Sequence, residues 1–512
     1  MGKKLKLKNI YLLVSAKRKK ILMKRMNLLV IGMLVSSQIL LAGGLVTNTN
    51  GSAAWVRSIS RNATLGIDAV YFNPAGLAQL NNGLHLSISN QTIFQTRTIT
   101  SDYAYLTGTP LTYKADLMAP VFPSIYAAFK MDKWTFSGGF NIIGGGGSAD
   151  FPEGLPSFEI PMSSIVPTLQ GILAPIDAAI AGQGYPDPGF RMITGYNLNA
   201  SMKGTSSYMG YQLGATYAVN DMLSVFLGAR MVTAKNSYEG SLTGVTIDAP
   251  AAYGGTMPPG DYLRIVAQPP LDPVTIAILN GAALGIDGAT ADKQLEATQT
   301  GMGFTPIIGV NIHLSDMINI AAKYEHHTKI ELTNDTKVDN VGMFPDGEKV
   351  RADLPGMFTL GVELKPIDKL KASIGFNYFL DKSAYYGDTL AGEQITSEYI
   401  IDKNGYTISA GLEYKLLGML GISAGYSTGN NGVNDDYQSD LTYALQSQTV
   451  GGGVFVNVSE KITINAGVAF VMYKDYTKSD SYQPTGFPQP VPYTNTFGKN
   501  TTIIGVGVDI SL

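Results

Sequence analysis

Leu370-Lys-Ala-Ser-Ile-Gly-Phe-Asn-Tyr378 decides how the rest of the chain is read. Leu370, Ala372, Ile374, Phe376 and Tyr378 alternate with Lys371, Ser373, Gly375 and Asn377. Successive strand residues point to opposite faces, so this pattern predicts a strand with one apolar face and one small, polar face. The same period returns along the chain. Leu84, Leu86 and Ile88 alternate with His85, Ser87 and Ser89; Leu223, Val225, Leu227, Ala229 and Met231 with Ser224, Phe226, Gly228 and Arg230. It recurs over Tyr211–Tyr217 and Ile462–Phe470, and in the last stretch Ile504, Val506, Val508 and Ile510 face one way before the final Leu512.

Turn signals punctuate these runs at Met131-Asp132-Lys133, Asn220-Asp221, Ser315-Asp316, Ile367-Asp368-Lys369, Leu417-Gly418 and Ser459-Glu460-Lys461. Longer polar or Pro/Gly-rich loops lie between them. Short turns on one side, long loops on the other and strands apolar on one face define an outer-membrane barrel. The expectation is therefore an all-β, transmembrane antiparallel β-barrel of about fourteen strands over 84–512, with long loops near 144–205 and 239–298. Both loops hold apolar runs that read as short helices, Pro161–Ile180 and Asp272–Asn280. These are either folded-down loop cores or an apolar entry groove, because exposed apolar patches commonly bind something. A soluble β-sandwich would also alternate, but it leaves the apolar outer face and the N-terminal leader unexplained.

Composition agrees. The 512 residues include 58 Gly and 28 Tyr, with 15% charged residues, no Cys and a net charge of -3. That is too little charge for disorder, and no basic stripe suits nucleic acid. Without Cys there is no disulfide framework, thiolate metal site or lipidated N-terminal cysteine. Past the N-terminal region no run of about 18 apolar residues suggests a membrane helix.

Residues 1–42 read as a signal peptide: a basic start ending at Lys24-Arg25, an apolar run Leu28–Leu34 resuming at Ile39–Ala42, then Gly43-Gly44. The alternative is a retained anchor. Residues 43–83 lack the period of two. Ser52–Trp55 and Thr64–Ala69 suggest brief helices that need a surrounding wall to bury Trp55, Ile67, Val70 and Phe72. Asn73-Pro74-Ala75-Gly76 reads as a fixed turn, since Pro restricts the residue before it and Gly tolerates unusual angles. Placed just before the first strand, this segment suits a plug, or hatch, inside the lumen.

A leader, a short plug with Asn73-Pro74-Ala75-Gly76-Leu77, then about fourteen strands with long apolar outer loops resembles the FadL family of outer-membrane transporters. The resemblance implies a monomer in the bacterial outer membrane, in contact with its lipid. It implies passive import of long-chain fatty acids or other hydrophobic molecules, with no cofactor and no catalytic residue. It further implies capture in an outer groove, hatch rearrangement and lateral exit at a kinked third strand. Asn73, Pro74, Ala75 and Gly76 take the hatch motif. Gly138-Gly139, a Gly pair inside the third strand, is the gap candidate, since glycine in a strand marks bulges or fits a crowded lumen. The chain departs from the usual barrel ending by closing on Leu512 rather than an aromatic.

Arg230 and Lys323 fall on polar strand faces, and Arg97 is a third cation to consider. Each could hold a ligand carboxylate, or pair with a lumen acid, as Lys323 with Glu325. His326-His327 beside Glu325 invites a metal reading, but neighbouring strand residues face opposite ways, so no metal site is expected. A lipid-acting barrel enzyme using His85, His313, His326 or His327 with a serine has no supporting motif. An adhesin or structural barrel is the remaining alternative.

Overall fold

A computed structural model describes residues 45–387, 389–390 and 393–512. The expected signal peptide lies outside the described residues. Fourteen strands form a closed antiparallel barrel. They are β1 Gly83–Tyr103, β2 Leu111–Met131, β3 Trp134–Phe151, β4 Tyr196–Ala218, β5 Leu223–Asp248 and β6 Lys293–Ser315. Next come β7 in two pieces (Ile318–Glu325 and Glu331–Asp339), β8 in two (Lys349–Arg351 and Met357–Ile367), β9 Leu370–Phe379, β10 Tyr406–Lys415 and β11 Leu420–Asn430. The last are β12 Ser447–Ser459, β13 in two pieces (Ile462–Tyr473 and Tyr476–Tyr482) and β14 Val491–Ser511. β14 pairs back onto β1 from His85–Ser511 to Tyr103–Tyr493. Closure removes the sheet edges that a bilayer could not hydrogen-bond.

The apolar sides face outward as the alternation demands. Ile88, Met118, Phe136, Leu213, Phe304, Leu360 and Val506 are exposed on the wall, while Ser87, Gln91, Gln95, Gln212 and Asn311 are buried within it. Strands β3, β4, β5 and β6 extend further outward than their apolar alternation predicts. The two long outer loops therefore run over 152–195 and 249–292. The extensions, such as Tyr196–Thr205, rise past the apolar belt, where the alternation continues with its sense reversed: Ala200 and Met202 are buried inward while Asn197, Asn199 and Lys203 are exposed, so the outer face is no longer the apolar one.

Four helices fold over the outer end: α3 Pro156–Ser163, α4 Ile165–Gly182, α5 Pro259–Val266 and α6 Pro273–Thr290. Asp272 caps α6 by accepting from Val274 N and Thr275 N at 2.9 and 3.1 Å. Leu169, Leu173, Leu263, Leu279 and Ala283 pack these helices into one buried cluster. Val274, Ile278 and Leu284 of α6 remain exposed.

Within the barrel, Leu45–Ala78 is buried apart from Leu65 and Gly66. It holds α1 Ala53–Ser58, α2 Ala69–Phe72 and a 3-10 turn at Pro74–Gln79. Ser52 caps α1, its Oγ accepting from Trp55 N at 2.9 Å. The second helix starts later than the sequence suggests. Thr64 Oγ1 accepts from Gly66 N and donates to Asp68 Oδ1, and these local bonds hold a turn instead.

Candidate functional site: the hatch and its seat

The Asn-Pro-Ala-Gly turn is a docking piece. Asn73 Nδ2 donates to Thr64 O at 3.1 Å and to Asn311 Oδ1 of β6 at 2.8 Å. Thr216 of β4 donates to Pro74 O, and Ser224 of β5 to Ala75 O, both at 2.7 Å. Pro74 opens the 3-10 turn, where its missing N–H costs nothing. Ala75 packs with Phe226 and Ile307 of the wall. A Cβ on Gly76 would run into the Asn73 amide, so the turn admits no side chain there. The motif thus binds hatch to wall through three adjacent strands.

Ion pairs hold the opposite flank. Glu413 of β10 accepts from Arg57 at 3.0 Å and from Arg61 at 3.1 Å, with Lys371 at 3.2 Å. Arg61 also pairs with Asp68 within the hatch at 2.7 Å, and Lys371 with Glu363 at 3.4 Å. Three cations therefore face three carboxylates. Arg57 donates further to Asn465 at 2.9 Å and lies 4.7 Å over the Phe455 ring. A buried ion pair survives only when each charge is matched and hydrogen-bonded, and this network meets that requirement. A second group holds α2. Glu325 accepts from Arg230 at 2.6 and 3.0 Å and from Lys323 at 2.7 Å. Lys323 also donates to Tyr71 O at 2.7 Å. The geometry turns Arg230 and Lys323 toward Glu325 and the hatch.

The wall beneath α1 is made of glycine. Added Cβ atoms at Gly411 and Gly425 would meet Ser58 O; at Gly467 and Gly505 they would meet Arg57 and Val56 at 2.8 Å. Only the missing side chains let the hatch backbone lie against the strands.

The wall is incomplete on one side. β2 and β3 pair from Met131–Trp134 only as far as Ser124–Asn141. Beyond that, β3 stays paired with β4 while its register shifts between Ile142 and Gly144 and again between Gly145 and Gly147. Gly145 has φ +60, a conformation that favours glycine. The N-terminal end of the hatch sits in this kink. Thr47 bridges Gly144, Asn48 N donates to Ile143 O at 2.8 Å, and Asn48 Nδ2 donates to Gly145 O at 3.0 Å. Gly138 and Gly139 are paired in register with Ala127 and Tyr126 on one side and Leu213 and Gln212 on the other. The irregularity thus begins a few residues beyond the glycine pair. The run Gly144–Gly147 was the signal for it.

A plug held by a Pro-fixed turn and buried ion pairs, beside a kinked third strand, fills the lumen of the barrel. A family model described as outer membrane protein transport protein (OMPP1/FadL/TodX) matches residues 33–511. The chain belongs to this family. It is an outer-membrane transport protein of the FadL/TodX type. Among solved structures, a FadL homologue of Pseudomonas aeruginosa is 13% identical with a TM-score of 0.58, the match covering 92% of this chain and 100% of that one. The Ralstonia pickettii toluene transporter TbuX is 13% identical with a TM-score of 0.51, over 91% of this chain and 99% of that one. The Pseudomonas putida toluene transporter TodX gives 13% and 0.50, over 92% and 100%. At this identity the likeness speaks to the fold. No curated protein matches the chain.

In this FadL/TodX-type barrel, Arg97 lies apart from the hatch, buried at 2% exposure against Tyr443. The histidines go separate ways: His326 meets Tyr324 at 3.1 Å, and His327 meets Asp353 at 2.7 Å. Among the described residues no group of three His, Cys, Asp or Glu could hold a metal. The latch residues Arg57, Arg61, Asp68 and Glu413 carried no local motif. Their one sequence trace is a charged residue on the small, polar side of a strand, as at Glu413.

Proposed function

We propose that this protein passively imports long-chain fatty acids or other hydrophobic molecules across the outer membrane, with exit sideways through the β2–β3 seam. The observation that carries this reading is the seam itself. Above Ser124–Asn141 the wall loses its ladder, and the hatch end at Thr47–Asn48 occupies the gap. A ligand reaching this point meets a removable peptide on one side and the bilayer on the other. Each CH₂ kept from water is worth about 0.8 kcal/mol, so a sideways route into lipid favours an apolar cargo over release into the periplasm.

The exposed apolar face of α6 (Val274, Ile278 and Leu284) supports first capture at the cell surface. The route requires the hatch to rearrange, because its residues fill the lumen and bond to the wall. One chain supplies every part, consistent with a monomer. No cofactor or catalytic group enters the path. His85 Nδ1 meets Ser511 Oγ at 2.9 Å, but its other nitrogen faces Asn81 O rather than a carboxylate, which argues against a hydrolase.

The test is uptake of labelled oleate and labelled toluene by cells lacking their own transporter. They would carry the intact protein or Asn73→Ala at matched surface levels. Uptake above background that changes in the variant supports import gated by the hatch. Background uptake of both ligands would remove the reading.

A further inference from the structure

The lipid-facing wall of β6–β9 is not smooth. Ala321, Gly361 and Gly375 stand side by side in the ladder, Gly361 pairing with both of the others. They turn no side chain outward, and their neighbours Ala322 and Val362 are short. A groove of about 260 Å³ results, floored by this row and flanked by Leu360, Ile374 and Phe376. Leu360 and Ile374 are exposed on the wall, which puts the groove on the bilayer side. The hatch lies directly behind its floor. A Cβ on Gly361 would meet Ala63 N at 2.6 Å, and one on Gly375 would meet Asn62 Nδ2 at 2.8 Å. Asn62 Nδ2 donates to Leu360 O at 3.0 Å and to Phe376 O at 3.3 Å, and Asn319 Nδ2 donates to Ala63 O at 3.0 Å. These bonds hold the strands from within, so the groove is preformed.

The groove sits toward the short-turn, periplasmic end of the barrel. Its Ile320–Val362 edge is two positions above Ile318–Leu364, where the β7–β8 ladder ends. Below it the turns expose both signs of charge: Asp316 after β6, Lys365 near the end of β8, and Asp368 and Lys369 in the turn to β9. Lys365 N donates to Met317 O at 2.8 Å, which brings the two turns together. Among the described residues neither lysine forms an ion pair.

Lipid tails are as apolar as the wall, so the hydrophobic effect does not favour one lipid-facing spot over another. Shape and charge do. An unfilled groove forfeits dispersion contacts along its lining. Its floor spans three strands, about 10 Å across, which admits an alkyl chain and not the convex wall of a second barrel. Lysines beside aspartates at its foot match a head group that carries a phosphate and an ammonium.

We propose that the groove seats one acyl chain of an inner-leaflet phospholipid, with its phosphate on Lys365 and Lys369 and its ammonium on Asp316 and Asp368. The lipid class is phosphatidylethanolamine. The chain packs on the outer side of the same strands that hold Asn62 and Ala63 on the inner side. The site depends on the outer-membrane location and not on what is imported.

The test is native mass spectrometry of the full-length protein in an uncharged maltoside detergent, with phosphatidylethanolamine or phosphatidylglycerol of identical chains added. Wild type should hold one phosphatidylethanolamine per barrel, about fivefold more tightly than phosphatidylglycerol, the scale of one exposed ion pair. Ala322→Phe fills the groove and should lose the lipid. Ala229→Phe, at an exposed position on β5 away from the groove, should keep it. Lys365→Ser with Lys369→Ser should weaken both lipids at least about fivefold. Heat-modifiable gel mobility checks folding, and the wild-type selectivity and the lysine variant stand even if Ala322→Phe does not fold. Equal retention by Ala322→Phe and Ala229→Phe would mean that lipid coats the whole wall, and overturns the proposal. So does a wild type that retains no lipid. Equal affinity for the two lipids overturns the head-group assignment. A doubled mass that Ala322→Phe abolishes would make the occupant a second copy of the chain, and also overturns it.

Discussion

Glu413→Gln should release the hatch. The Glu413 carboxylate holds Arg57 at 3.0 Å, Arg61 at 3.1 Å and Lys371 at 3.2 Å, all across the hatch–wall boundary or beside it. Arg61 keeps Asp68 after the substitution, and Lys371 keeps Glu363. Arg57 keeps only neutral partners, Asn465, Ser423 and the Phe455 ring. Breaking a buried pair by removing one partner costs about 3–5 kcal/mol, and Gln retains some hydrogen bonding, so the low end applies, about 3 kcal/mol. If the hatch bears that cost, its displaced fraction rises by about two powers of ten. Planar-bilayer conductance reads this directly: frequent ion-conducting openings are expected where wild type is nearly silent. Replacing both partners, Arg57→Met with Glu413→Met, leaves no uncompensated charge and should restore much of the closure. A folded Glu413→Gln barrel as silent as wild type would refute the latch.

Gly76→Ala drives a methyl into the Asn73 amide and breaks its bond to Asn311; a cost of roughly 1–3 kcal/mol should appear as hatch proteolysis in the folded barrel. Gly145→Val opposes the left-handed backbone at φ +60 and meets Ser206, at about 1–2 kcal/mol for the backbone alone. It should lower uptake of hydrophobic ligand while conductance stays at the wild-type level; unchanged uptake would count against the seam as exit. Asp381, in the outer loop after β9, has its carboxyl pushed up from 3.8 to about 6 by burial, although Tyr386 and Gly405 donate to it. Its folded form prefers the proton, so the loop loses stability as pH rises from about 4 to 6 and stays at the lower level above that. Asp381→Asn should abolish the difference in loop proteolysis, measured against wild type at each of pH 4.5 and 7.5; an equal wild-type and variant ratio at both would refute it.

Strand number, wall faces and the hatch position were legible because each depends on local order. A period of two tells lipid from lumen one residue at a time, and Asn73-Pro74-Ala75-Gly76 restricts its own backbone. Strand ends at Tyr196 and Asp248 were not legible, since beyond the membrane the sense of the alternation reverses: Ala200, Met202, Val245 and Ile247 turn inward, and the outer face that marked the strands below is polar. Gly138-Gly139 suggested an irregular third strand, yet where β3 stops pairing with β2, at Ser124–Asn141, is set by the sheet and not by the glycine pair.

What only the tertiary structure decided is which buried charges meet. Arg61 and Glu413 stand 352 positions apart, and Arg97 and Lys499 come from the first and last strands. Alternation by itself turns such residues toward the lumen. Their partners are set by barrel closure, by the register of each ladder and by how deeply the glycine seat admits the hatch. Those are properties of the closed sheet, with no counterpart in any short stretch of sequence, and they assemble the matched charges at Glu413.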